Sequence, residues 1–99
     1  MGLRDRYSIH SNQESGLGRC DVIFIPKDKQ KNGIVLEFKT SKTPDLLMNK
    51  ADEALKQSKD RKYVEKLKQE GINSILAIGL AFCGKQVELA AELIAIEGA

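Results

Sequence analysis

The chain of 99 residues is predicted to be α/β. The expected architecture is a mixed central sheet with an antiparallel β-hairpin and a right-handed β-α-β crossover through one long helix. Three observations carry that prediction. Two apolar runs, residues 20–25 and 33–40, are separated only by the polar connection "KDKQKNG". Residues 46–70 contain no Gly or Pro and place apolar and small residues at three-and-four spacing. Finally, "INSILAIGLAFCG", residues 72–84, is almost continuously apolar, as a strand covered on both faces is.

The elements follow in order. Residues 7–11 have weak strand character, with Tyr7, Ile9 and Ser11 alternating with Ser8 and His10. "SNQESGLG", residues 11–18, is rich in turn formers. Residues 20–25 read as a strand ended by Pro26. Asn32-Gly33 suits the positive φ angles of a turn. The strand over residues 33–40 then pairs antiparallel with its predecessor, because nothing long separates them. Thr43 is a candidate helix cap with Pro44 at the first helical position. Leu47, Ala51, Ala54, Leu55, Ser58 and Leu67 mark the buried stripe of the helix, and Gly71 ends it. A strand, a helix and a second buried strand make a crossover, which is right-handed by the general rule. After the turn at Gly84-Lys85, "QVELAAELIAI" starts as a strand and is open to strand or helix thereafter.

Length and composition describe one compact domain spanning 1–99: 41% hydrophobic, 30% charged, with no repeat or linker. Sixteen basic residues against fourteen acidic ones leave a formal charge of +2, too mild by itself to diagnose nucleic-acid binding. The lysines nevertheless crowd residues 27–31 and 56–68. Cys20 and Cys83 lie far apart with no metal-binding spacing. They are expected as free thiols in a reducing cytosol. No signal peptide is visible, and no apolar run is long enough to cross a bilayer. The expected location is cytoplasmic, without membrane association.

The chemistry concentrates in "GRCDVIFIPKDKQKNGIVLEFKT". Strand alternation puts Val35, Glu37 and Lys39 on one face, and Asp21, Ile23 and Ile25 on one face of the strand before it. If the two faces coincide, the Asp21 and Glu37 carboxylates converge. Close carboxylates repel unless a cation sits between them, and as hard oxygen donors they suit Mg²⁺ or Mn²⁺. A metal-bound water is a better nucleophile, and an ammonium beside it orients the water or offsets charge building on a phosphate. Acid-x-Lys on a strand is most often a solvated face with a cross-strand ion pair. Here Val35 shares the face, and the crossover makes the strand central, where charge needs a partner.

Four blocks in order, "SNQESGLGRCDVIFIP", "GIVLEFK", "ADEALKQSKDRKY" and "ILAIGLAFCGKQVEL", resemble the PD-(D/E)XK nuclease superfamily. More closely they resemble its bacterial domain found at the C-terminus of AAA-ATPase-like proteins, with a restriction-endonuclease-like core. The resemblance implies that Asp21 and Glu37 bind a divalent metal, Mg²⁺ or Mn²⁺, with the backbone carbonyl of Phe38 completing the shell. It makes Lys39 the catalytic lysine. Relatives place a Gln and a Tyr near the site on the crossover helix, for which Gln57 and Tyr63 are the candidates. Six residues apart on an ideal helix, they sit roughly 120° from each other. Gln57 is therefore expected at the site, and Tyr63 as a partly buried aromatic.

Many members also carry an acid on a helix ahead of the first core strand. Met1 falls just before that strand, so the helix is expected to be missing or shortened. Glu14 is then the candidate accessory carboxylate and Arg19 the candidate phosphate contact, both in a loop. His10 is expected as a strand-surface residue. A sheet face left less covered invites a homodimer. The implied activity is Mg²⁺-dependent hydrolysis of DNA, with lysines holding the phosphate backbone without sequence readout. The alternative is an inactive nucleic-acid-binding or assembly module on the same fold.

Overall fold

The structure is a computed structural model, and it describes residues 6–14 and 19–96, with side chains for 6–11 and 21–96. Five strands form one sheet in the order β1-β2-β3-β4-β5: β1 Tyr7–Glu14, β2 Arg19–Pro26, β3 Gly33–Thr40, β4 Ser74–Cys83 and β5 Gln86–Ala95. Between β3 and β4 come a 3₁₀ turn, Pro44–Leu46, and two helices, α1 Leu47–Ser58 and α2 Arg61–Gln69. The β2–β3 pair is antiparallel and the β3–β4 pair parallel, so the sheet is mixed and β3 is its centre.

The predicted single helix is two. Asp60 leaves helical geometry at ψ 140° and caps α2, its side chain accepting from the Lys62 N–H at 2.9 Å. A side chain that can serve an orphan N–H at a helix start makes an interruption stable there. At the other end of α2, Gly71 takes φ +83°. The Gly71 N–H donates to the Lys68 carbonyl and the Ile72 N–H to the Leu67 carbonyl, each at 3.0 Å. That is the Schellman closure, with buried Ile72 and Leu67 as its apolar contact. The Thr43 side chain makes no capping bond, although Pro44 does stand at the first position.

Two other expectations change. The run from residue 11 is strand as far as Glu14, because β1 pairs antiparallel with β2 along its whole length. Glu14 and Arg19 are therefore paired strand residues, not loop residues, in backbone terms. "QVELAAELIA" is strand throughout: ten consecutive pairings to β4 outweigh its helical spacing.

Both helices lie on one side of the sheet, and its apolar residues there form two clusters. One gathers Ile23, Ile25, Val35, Tyr63, Leu67, Ile72, Ile75 and Ile96 under α2; the other gathers Leu47, Ala51 and Ala81 under α1. Gly79 explains how closely α1 sits. A Cβ at that position would lie 2.2 Å from the Leu55 backbone nitrogen and 2.4 Å from the Ala51 carbonyl oxygen. With Ala51 and Ala54 also small and buried, α1 rests directly on β4. No strand comes comparably near the backbone of α2. It is spanned to the sheet by the longer side chains of Tyr63 and Leu67.

The opposite face of the sheet has no helix over it among the described residues. Its strand positions include Ile9, Val22, Phe24, Leu36, Phe38, Leu80, Phe82, Val87, Leu89 and Leu93, with Leu93 still 62% exposed.

Candidate active site

Asp21 and Glu37 are direct partners in the β2–β3 register, and Glu37 is in turn the partner of Gly79 on β4. The two acids thus stand side by side on the helix-covered face, along the border between the two apolar clusters. Both are buried, Asp21 at 7% and Glu37 at 0% exposure. Carboxylates this far from water require compensating partners. One partner is shared. The Tyr63 hydroxyl donates to Asp21 Oδ2 and lies 2.7 Å from Glu37 Oε1. Two carboxylate oxygens therefore converge on a single point. Burial, and then the bonds to Asp21 and Glu37, push the Tyr63 phenol well above its usual pKa, so it stays a proton donor.

Lys39 continues the row on β3, two residues beyond Glu37 and on the same face. Its side chain is 18% exposed and its Nζ lies 3.7 Å from Glu53 Oε2, on α1. Glu53 also meets Lys50, at 3.5 Å. The close seat of α1 over Gly79 is what puts Glu53 within reach of the central strand. Phe38 stands at the last described pair of the β2–β3 ladder, opposite Cys20, while β3 continues beside β4 to Thr40. Its ring stacks on Phe82 across the open face, with centroids 6.1 Å apart.

A family model described as the PD-(D/E)XK nuclease superfamily matches residues 1–92. The chain belongs to the PD-(D/E)XK nuclease superfamily. No curated protein and no solved structure matches it significantly. A PD-(D/E)XK chain is expected to show an Asp on one strand and Glu-x-Lys on the next. Asp21 on β2 and Glu37 and Lys39 on β3 stand in that order, with Asp21 directly opposite Glu37.

The superfamily typically uses divalent metals such as Mg²⁺. The residues fit one. Two hard carboxylate donors aimed at a common point are the number of protein ligands Mg²⁺ usually takes, with water and phosphate oxygens supplying the rest. Among the described residues no group of three or more His, Cys, Asp or Glu side chains that could hold a metal ion occurs.

Of the two helix residues, Tyr63, expected only as a partly buried aromatic, is the one in contact with the acids. Tyr63 touches both acids. Gln57 does not bond to either, and its amide oxygen is buried without a hydrogen-bond partner among the described residues. The 120° argument failed because the helix breaks at Lys59–Asp60, so no single helical axis relates the two positions. The readable signal was Asp60, a capping residue inside "QSKDRKY". Gln57 sits one turn after Glu53, and residues so spaced share a helix face. Glu14 and Arg19 have side chains outside the described residues. Cys83 is a free cysteine, and the side chain of Cys20 also lies outside the described residues.

His10 is exposed, as expected for the strand surface, and its Nε2 lies 3.1 Å from the Ser8 hydroxyl. It also lines a hollow of about 360 Å³ beside the acids, together with Ser11, Asp21, Ile23, Lys62, Tyr63 and Lys66. No described helix is long and apolar enough to cross a membrane.

Proposed function

We propose that the chain is a metal-dependent nuclease that hydrolyses DNA phosphodiester bonds, with Asp21 and Glu37 holding Mg²⁺ or Mn²⁺. The observation that carries this reading is the convergence of Asp21 Oδ2 and Glu37 Oε1 on one point at the centre of the sheet. The Phe38 carbonyl is the candidate third protein donor. When bound, the ion supplies Lewis acidity and a more acidic water.

The chain's own residues divide the remaining work. The carboxylates are oxygen donors on a rigid pair of strands, which holds ligand geometry better than a loop would. Lys39, tethered by Glu53, brings a positive charge to the edge of the acid row. There it orients the attacking water or offsets charge on the phosphoryl oxygens. The Gln57 amide oxygen is a buried acceptor that a substrate or a water can satisfy. Tyr63 keeps the two carboxylates aligned before the metal arrives.

Purified protein incubated with single-stranded and duplex DNA in Mg²⁺ or Mn²⁺ tests the proposal. Cleavage is expected, and its loss in both Asp21→Ala and Lys39→Ala. Cleavage that survives both substitutions would show that the acid row is not the catalytic centre.

A further inference from the structure

The hollow beside the acids does not end there. A second hollow, of about 310 Å³, is lined by Ser8, His10, Ile25, Pro26, Lys27, Lys29, Lys66 and Glu70. The two share His10 and Lys66, so they form one trench. Its origin is the difference between the helices. With α2 standing off the sheet and β1 packed on β2 alone, a step remains between them. One wall is β1, with Ser8 and His10 two residues apart on one face. The other is α2, with Lys62 and Lys66 at i and i+4 on one face. Ile23, Ile25 and Pro26 make an apolar floor. From Asp21 to Lys27 the trench follows β2 for roughly 20 Å.

We propose that this trench binds one strand of nucleic acid, leading it past His10, Lys62 and Lys66 toward the acid pair. The inference rests on the nuclease reading and names its substrate class. Four lysines line the trench, and the acids that line it are Asp21 at the catalytic end and Glu70 at the far end, where Glu70 meets Lys29 at 4.0 Å. Basic walls suit a phosphate backbone. Each hollow is at the lower end of the size range of ligand pockets, so the trench admits single nucleotide units rather than a paired helix. Its floor is nearly closed, with Ile23 and Ile25 only 8% and 5% exposed, so the basic walls carry the contact with the strand.

The test measures binding in EDTA, so that neither metal nor cleavage contributes. Fluorescence anisotropy with labelled dT10, rU10 and a hairpin duplex gives affinity at several salt concentrations. The double variant Lys62→Ala/Lys66→Ala is expected to bind dT10 more weakly. Its slope of log affinity against log salt should fall by about 1.4, two single-strand phosphate contacts. His10→Glu, on the opposite wall, should weaken binding as well. Lys42→Ala/Lys85→Ala, two exposed lysines outside the trench, should leave it unchanged. Both oligonucleotides binding alike means that phosphate contacts suffice; preference for one identifies the sugar that the trench takes.

Equal losses in trench and control variants, or tighter binding of the duplex, would overturn the proposal. The same proteins assayed for cleavage in Mn²⁺ separate it from the reading beneath it. Trench-dependent binding without cleavage in the wild type leaves the trench standing and removes the nuclease. Wild-type cleavage with unaltered binding and cutting by the double variant removes the trench alone.

Discussion

Tyr63→Phe separates the metal-free site from the metal-bound one. In the structure the phenol touches Asp21 Oδ2 and Glu37 Oε1, the same oxygens assigned to the metal. A phenol carries a single proton, so it is shared between two acceptors or given to one. A hydrogen bond to a charged group contributes about 1.5–3 kcal/mol. Removing it should therefore destabilise the metal-free protein by about that amount, measured by urea denaturation in EDTA. The bond competes with a cation for the same oxygens. At about 1.4 kcal/mol per tenfold in affinity, its loss should tighten Mn²⁺ binding roughly 10- to 100-fold, read by titration calorimetry. Saturating Mn²⁺ should then offset the stability loss, since a ligand that binds only the folded state raises its stability. Equal or weaker Mn²⁺ binding by Tyr63→Phe would refute the reasoning. The phenol would then support the metal site rather than occupy its place.

Two further outcomes follow from packing. Gly79→Ala should cost about 3 kcal/mol, because its Cβ would meet the Ala51 and Leu55 backbone at 2.2–2.4 Å. Lifting α1 would also draw Glu53 away from Lys39, so a fall in thermal midpoint together with weakened cleavage is expected. The open sheet face, five strands wide and without a charged side chain at its described positions from Ile9 to Leu93, spans roughly 600 Å². Doubled across two copies it reaches the lower limit of a specific interface. Sedimentation should show a dimer in which Leu89→Lys gives monomers, and a monomeric wild type would exclude self-pairing through this face.

Much of the acid row was readable from the order of residues. Strand alternation has a period of two whatever the surroundings, so Glu37 and Lys39 had to share a face once β3 was recognised. The short link between β2 and β3 pointed to an antiparallel pair, and the register of that pair, which the sequence left open, set Asp21 opposite Glu37. Gly71 was readable for a similar local reason: only glycine takes φ +83° without strain.

What the order of residues left open depended on contacts between distant segments. "QVELAAELIA" satisfies helix and strand periodicity alike, and only the edge of β4 chose between them. Tyr63 reaches the acids because a two-residue break at Lys59–Asp60 turns α2 about a new axis, and angular reasoning does not survive a break. The trench has no signature at all in sequence. It arises because alanines and a glycine let α1 sink onto the sheet, while Tyr63 and Leu67 hold α2 away from it. The sequence by itself determined that Glu37 and Lys39 share a strand face, because that rests on local periodicity. The tertiary structure alone decided which hydroxyl meets the acids and where a substrate strand can lie, because both depend on how far each helix stands from the sheet.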